Sequence, residues 1–320
     1  MTEDAYVPEG FTLVIAHRGA CGYLPEHTLE AKAYAHALGA DYVEQDVVAT
    51  RDDELIVMHD IHLDRVTNVA DLYPDRHRAD GRFYARDFDL AEIRHLSVWE
   101  RRGEDGETAV FPNRYPSVPG RFRVSTLREE IRLIQGLNHS TGRNVGIYSE
   151  IKRPAWHRNE DSDISRQVIQ LLDDLGYRSK KDACYLQCFD AAEVRRIRHD
   201  LGCQLKMVQL IGENAWGEAD TDFDELRTPA GLQRLAKTVD GIGPSLSHLV
   251  TLSDIDGSPV SLGLVTAAHA VGLTVHPYTF RVEQLVPGFD SLGEMVRWCV
   301  DELQIDGLFT DFPDQALAVI

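Results

Sequence analysis

The chain has 320 residues, 43% hydrophobic and 27% charged, a length that can bury a large core in one α/β barrel domain spanning 1–320 without a second domain. Its 52 acidic residues against 33 basic ones give a net charge of −19, which repels nucleic acid backbones and anionic membrane surfaces and excludes a sequence-independent polyanion binder. No apolar run reaches the length of a membrane span, so stable membrane insertion is excluded too.

The first residues, Met1-Thr2-Glu3-Asp4-Ala5-Tyr6, have neither a basic nor an apolar leader region. The expectation is a cytoplasmic protein, or a periplasmic one if a leader was removed. Beyond them, short β-branched runs alternate with helical periodicity, which predicts parallel strands near 12–16, 42–48, 145–151, 183–188, 205–210, 239–243, 273–277 and 307–310. Eight such strands close a (β/α)8 TIM barrel. A further run at 54–58 follows 42–48 after only Thr50-Arg51-Asp52-Asp53. That link is too short for a parallel crossover, so the run is predicted to form a β-hairpin extension.

The helix after the first strand is expected to bury Leu29, Ala33, Ala37 and Leu38 and to stop at Gly39. Thr126-Leu127-Arg128-Glu129 and Asp190-Ala191-Ala192-Glu193 both match a reciprocal capping box. The stretch at about 62–124 breaks the alternation, with Tyr73-Pro74, Asp80-Gly81, Phe111-Pro112, Tyr115-Pro116 and Val118-Pro119-Gly120 and many arginines. It reads as an insertion at the C-terminal face of the barrel, either aiding substrate binding or remaining a solvated excursion. The five cysteines are odd in number and lack zinc-site spacing; Cys184 and Cys188, in an apolar run, are expected to be buried free thiols.

Glu44 and Asp46 stand two apart on a predicted strand, so both point to one face. Two unpaired carboxylates inside a barrel cost several kcal/mol in desolvation and repulsion, and one divalent cation removes that penalty. Oxygen ligands suit Ca²⁺ or Mg²⁺ rather than zinc. Glu150 ends the 145–151 strand, with Lys152 on the same face; a metal-free ion network of these acids with Arg18 and Lys152 is the alternative. His17 and His59 each end a strand-like run and suit an acid/base pair near neutral pH. Arg18 suits bidentate grip of a phosphate, and Gly19 after it serves either close backbone approach to a ligand or a tight turn. Gln187 with Phe189, and His276 with Tyr278 and Arg281, sit where a leaving-group pocket would be; Asp311 and Phe312 follow the last strand.

The His17-Arg18-Gly19 opening, the Pro25-Glu26-His27-Thr28 turn, Glu44-x-Asp46, His59-Asp60, Glu150-x-Lys152 and the closing Thr310-Asp311-Phe312-Pro313-Asp314 together resemble the bacterial glycerophosphodiester phosphodiesterases. The runs at 185–191, 240–244 and 275–281 are similar to the longer GlpQ-type branch of that family. One departure is His27, where the family's turn has Asn. The resemblance implies hydrolysis of glycerophosphodiesters, such as glycerophosphocholine or glycerophosphoethanolamine, to glycerol 3-phosphate and an alcohol. Glu44, Asp46 and Glu150 would hold one divalent cation, Ca²⁺ or Mg²⁺, with Glu26 supporting the site. His17 and His59 would be the general acid and base, and Arg18 and Lys152 would hold the phosphate. A glycerol hydroxyl would attack phosphorus, with water then opening the cyclic phosphate; direct attack by metal-bound water is the alternative. The expected partner is a small-molecule substrate, with the chain a monomer or homodimer.

Overall fold

The computed structural model describes residues 11–103, 105–116 and 122–320; the first ten residues and the Val118-Pro119-Gly120 stretch lie outside them. Its strands are β1 (Leu13–Ala16), β2 (Tyr42–Ala49), β3 (Leu55–Val57), β4 (Gly146–Ile151), β5 (Cys184–Cys188), β6 (Lys206–Ile211), β7 (Gly241–Pro244), β8 (Val250–Leu252), β9 (Pro259–Ser261), β10 (Thr274–Val275) and β11 (Gly307–Thr310). Eight of them run parallel in the order β10-β7-β6-β5-β4-β2-β1-β11. The seam between the outer two is bridged by the backbone: Phe309 N donates to Pro277 O (3.0 Å) and Phe280 N to Phe309 O (2.8 Å). The result is the (β/α)8 barrel expected from the strand count. β3 folds back antiparallel on β2, pairing Val47 with Val57 and Ala49 with Leu55, as the four-residue link requires.

Period-two alternation decides what faces the interior. Leu13, Ile15, Tyr42, Tyr148, Tyr185, Val208 and Phe309 fill its lower part as one apolar cluster, with Tyr148 and Tyr185 stacked at 4.6 Å. The next inward positions up the same strands are Glu44, Asp46, Glu150 and Gln187. An aromatic floor thus sits under a polar top, and the floor denies water to the acids from below. Outward-facing apolar residues such as Val43, Val47, Ile147 and Leu186 pack on the surrounding helices.

The helix Leu29–Leu38 departs from expectation. It stops at Gly39 (φ 105°), but its buried residues are Ala31, Lys32, Ala35 and His36, not the apolar stripe of Leu29, Ala33, Ala37 and Leu38. Burial of two cationic-type side chains is tolerable because each has partners: Lys32 Nζ meets Glu130 Oε2 at 3.3 Å and His36 Nε2 meets Asn138 Oδ1 at 3.0 Å. The Thr126 box is reciprocal. At Asp190 only half of one forms: Asp190 caps Ala192 and Glu193, while the Glu193 carboxylate turns to Arg158 and Arg196. The β8–β9 hairpin has no counterpart among the predicted elements. Its residues beyond Val250 are largely exposed, so no apolar alternation marks it.

Residues 62–124 gather a second apolar cluster, including Leu63, Val66, Phe83, Phe88, Ile93, Leu96 and Val98, around Val48, Ile56 and Met58 of the hairpin. The hairpin is therefore the mount on which this segment is built. All five cysteines are free and buried, as expected of Cys184 and Cys188. No helix of the described residues is long and apolar enough to cross a membrane.

Gly146 shows how tight the barrel is. It lies opposite Tyr42 in register, and a Cβ there would fall 2.2 Å from the Tyr42 ring and 2.8 Å from the Ala183 carbonyl oxygen. Gly146→Ala is expected to lower stability by about 1–3 kcal/mol, since a well-packed interior resists even one added methyl. Urea denaturation checks this; an unchanged midpoint would mean that the Tyr42 ring can move aside.

Candidate active site

A cavity of about 680 Å³ opens at the C-terminal ends of the parallel strands, and His17, Arg18, Glu44, Asp46, His59, Glu150, Lys152, Gln187, Phe189 and Tyr278 all line it. Parallel register places the acids: Asp46 on β2 lies opposite Glu150 on β4, which lies opposite Gln187 on β5. Glu44, Asp46 and Glu150 are buried and present ligand oxygens within 4.8 Å of one another. At such spacing each pair of like charges costs roughly 3–4 kcal/mol at an effective dielectric of about 20.

The electrostatics reflect this crowding. Burial and then the Asp46 charge push Glu44 above the usual carboxylate range. Burial also drives Glu150 well up, against the pull of Lys152. Asp46, which burial alone would raise, is held well below its ordinary value by Lys152 and by a hydrogen bond from His27. One carboxylate is thus fixed as an anion while its two neighbours hold protons too readily, as in other crowded carboxylate pairs. Asp46 Oδ1 and Gln187 Oε1 are buried with no hydrogen-bond partner. An unpartnered carboxylate oxygen among three acids fits a hard cation, and Glu44, Asp46 and Glu150 could hold one. A second group with ligand-like spacing, His17, Cys21 and Asp311, does not fit: Arg114 and Arg281 already neutralise Asp311, at 2.6 and 2.7 Å.

Two cations stand over the acids. Lys152 Nζ reaches Glu150 Oε1 at 2.7 Å and Asp46 Oδ1 at 3.8 Å. Arg18 adopts a left-handed backbone (φ 56°), which lets its own N–H donate to Glu44 Oε2 at 2.6 Å while its side chain crosses to Glu26 at 2.9 Å. Arg18 Nε is buried with no hydrogen-bond partner, a donor available to a bound anion. Gly19 serves the turn: at φ 87°, a Cβ there would sit 2.9 Å from the Ala31 backbone, so the close neighbour is the helix Leu29–Leu38.

His17 and His59 are set alike. His17 Nδ1 lies 2.6 Å from Asp311 Oδ1, and His59 Nδ1 lies 2.6 Å from Asp60 Oδ1. Arginine neighbours overcome burial and hold both aspartates well below the usual carboxylate range. Each aspartate is then an acceptor only, so each imidazole donates from Nδ1 and presents its Nε2 lone pair. Burial and neighbouring cations, Arg18 for His17 and Arg18 with Lys152 for His59, pull the imidazoles down to about 4 and about 3. Values that low leave both rings neutral at pH 7 before a substrate anion binds.

Not every expected residue reaches the cavity. His276 is 1% exposed, donates to or accepts from the Tyr148 hydroxyl at 2.9 Å and packs on Tyr185; it belongs to the aromatic floor. Glu26 stands behind Arg18, gripped by Arg101 as well. Sequence reading passed over several others. His27 donates to Asp46 Oδ2 at 2.7 Å and accepts from Lys32 at 3.1 Å, so the imidazole at the departing turn position orients a carboxylate. Asp60 and Asp311 were read as motif residues without a role, because their partnership with the histidines is not visible in one dimension. Trp216 and Glu218 also line the cavity, from a loop with no motif. No described residue of 62–124 lines it.

The barrel and this pocket define a TIM-barrel hydrolase with a carboxylate centre and two imidazoles. Residues 17–315 match the model of the glycerophosphoryl diester phosphodiesterase family, and the chain belongs to that family and is a glycerophosphodiester phosphodiesterase. It is similar to the glycerophosphodiester phosphodiesterase of Haemophilus influenzae, 41% identical over 94% of this chain and 88% of that one. Against the Treponema pallidum protein of the same name, identity is 37% over 94% and 90%. Among solved structures, a family protein from Silicibacter pomeroyi superposes with a TM-score of 0.74 at 23% identity, over 98% and 94% of the two chains. An Oleispira antarctica phosphodiesterase in complex with sn-glycerol-3-phosphate gives 0.65 at 18% identity, over 96% of each. At these identities the two structures speak for the fold.

Because Glu44 and Glu150 hold protons more tightly than ordinary carboxylates, a cation that needs both ionised must displace protons. Adding Ca²⁺ or Mg²⁺ to metal-free protein at pH 7 is expected to release protons, and affinity should strengthen as pH rises. Calorimetry in two buffers of different ionisation enthalpy checks this; identical heats would show that no proton leaves.

Proposed function

We propose that the enzyme cleaves small, water-soluble glycerophosphodiesters to glycerol 3-phosphate and an alcohol, with His17 and His59 as general acid and base. A divalent cation would be held by Glu44, Asp46 and Glu150. The observation that carries this reading is the pair of imidazoles, each with Nδ1 tied to an aspartate at 2.6 Å and each lining the same cavity as the acids.

Charge supports a phosphodiester. The three acids outnumber Arg18 and Lys152 by one, and a divalent ion reverses that to a surplus of one, which matches a phosphodiester's single negative charge. The cation would polarise a phosphate oxygen and lower the pKa of a neighbouring hydroxyl. Arg18, through Nε, and Lys152 bind and orient the phosphate. One neutral imidazole takes the proton of the attacking glycerol hydroxyl at its Nε2. The other delivers a proton to the departing oxygen, the bound phosphate anion having raised that ring's proton affinity. Opening of the cyclic phosphate by water uses the two rings in reversed roles.

The outer part of the cavity suits a cationic head group. Phe189 and Tyr278 stand edge to face at 6.0 Å, and Trp216 is held beside Gly212, where a Cβ would fall 2.7 Å from its ring. Tyr278 is tethered by its hydroxyl to Ile211 O at 2.9 Å. Burial and then the charges of Glu150, Glu218 and Glu213 raise its phenol well above the ordinary value, so acids surround the Tyr278 ring, while Lys152 Nζ lies 5.7 Å from the Phe189 centroid. Aromatic faces beside acids attract quaternary ammonium groups, which favours choline esters over neutral ones.

His17→Ala and His59→Ala are each expected to lower kcat by roughly 10²- to 10⁴-fold in a coupled glycerol 3-phosphate assay. Chelation should abolish turnover, and returning one ion should restore it. Near-normal turnover by either histidine variant would rule out the two-histidine scheme, and activity surviving exhaustive chelation would rule out the cation. For the head group, Trp216→Ala should raise KM for glycerophosphocholine several-fold more than for glycerophosphoglycerol, loss of one cation–π contact being worth about 0.5–2 kcal/mol. Equal changes would argue against the aromatic subsite.

A further inference from the structure

The segment 62–124 contributes no described residue to the cavity wall, yet two of its arginines end directly behind the two imidazoles. Arg101 Nη1 donates to Asp60 Oδ2 at 2.6 Å, on the carboxylate whose other oxygen holds His59. The same guanidinium forks onto Glu26, from Nη2 to Oε1 at 2.6 Å and from Nε to Oε2 at 3.0 Å. Glu26 Oε2 also accepts from Arg18 Nη1 at 2.9 Å. One side chain from outside the barrel is thus joined to the imidazole on one side and to the phosphate-binding guanidinium on the other.

We propose that Arg101 is a positioning residue for the reaction, fixing His59 through Asp60 and Arg18 through Glu26, so that the segment 62–124 serves turnover from behind the site without touching substrate. The proposal rests on the two-histidine reading above.

Three features argue for it. Arg101 uses all three guanidinium nitrogens, and its planar fork matches a carboxylate in a way an ammonium cannot. Its side chain is only 11% exposed, and so are those of its partners to within a similar degree: Glu26 10%, Asp60 22%. Withdrawing it would leave two largely buried carboxylates short of a counter-charge, which is expensive. Its backbone is itself anchored: Val110 N donates to Arg101 O at 2.9 Å, and the next residue donates to Arg65 O at 2.9 Å. The guanidinium is therefore delivered from a fixed point on the insertion.

The other imidazole offers an internal comparison. Arg114 from the same segment binds Asp311 Oδ2 at 2.6 Å, behind His17, but Arg281 from the barrel binds that same oxygen at 2.7 Å. Among the described residues, Asp311 has two guanidiniums where Asp60 has one. Loss of Arg101 should therefore matter more than loss of Arg114.

Steady-state kinetics with glycerophosphocholine on the full-length, metal-loaded enzyme tests this. Arg101→Met is expected to lower kcat by about 10²-fold, as a small misplacement of a reacting group can, and to raise KM. Asp60→Asn should act mainly on kcat, and Glu26→Gln mainly on KM. Each double variant with Arg101→Met should cost less than the product of its single effects, because the residues share one network. Arg114→Met should lose less than Arg101→Met, and guanidinium ion in the buffer should restore part of the Arg101→Met rate. The proposal falls if a folded Arg101→Met keeps kcat and KM within twofold of the parent, if the doubles are multiplicative, or if guanidinium restores nothing. Should Arg101→Met not fold, Arg101→Lys carries the test, with at least a tenfold loss of kcat/KM expected and near-parent kinetics overturning the proposal. A parent enzyme that releases no glycerol 3-phosphate would instead sink the functional reading beneath it.

Discussion

Three carboxylates held within 4.8 Å of one another at the buried end of two adjacent strands are the constraint around which the rest of the site is arranged. They repel one another, and an aromatic floor of Tyr148, Tyr185 and their neighbours denies them water from below. Three neighbouring groups answer that charge directly. Lys152 sits on Glu150, the Arg18 amide sits on Glu44, and His27 sits on Asp46, backed by Lys32 and Glu130. Even so, Asp46 Oδ1 stays without a hydrogen bond, with Lys152 no nearer than 3.8 Å. That residual deficit makes the pocket receptive to a cation, and with the cation a receptor for a phosphodiester.

The histidines follow a different logic. Their carboxylate partners are not shared with the metal-type acids but stand on the far side of each ring, and each is neutralised by arginine. This keeps two populations of acid apart inside a few ångströms: one left crowded, the other compensated so thoroughly that it can only accept a hydrogen bond. The separation lets the imidazoles stay neutral beside a strongly charged centre. It also explains why an enzyme with a net charge of −19 spends buried arginines here, on orienting side chains rather than on attracting ligand from a distance.

The barrel strands, the hairpin and the inward pairing of Glu44 with Asp46 were legible because they follow from local rules: period-two alternation, the length of a link, the count of strands. The helix Leu29–Leu38 was misread because the same rules rank Lys32 and His36 as polar, and only Glu130 and Asn138, about a hundred residues later in sequence, make their burial tolerable. His276 was placed at the mouth because its strand was expected to run to 277. The ring instead turns inward, onto Tyr148 and Tyr185 of the floor. The insertion was expected at the C-terminal face, either aiding substrate binding or remaining a solvated excursion; its described residues instead reach the partners of the reacting groups.

By itself the sequence determined the barrel, the hairpin that carries His59, and the residues that bring metal-type acids and imidazoles to one end, because chain-local periodicity sets which face each side chain occupies. The tertiary structure decided which carboxylate serves which partner. Glu26 and Asp60 look no different from Glu44 and Asp46 when read along the chain. Their roles diverge because Arg101, 75 residues from Glu26, folds back to neutralise one pair and leaves the other exposed to its own repulsion. Charge compensation is a property of distance in space, and no spacing along the chain encodes it.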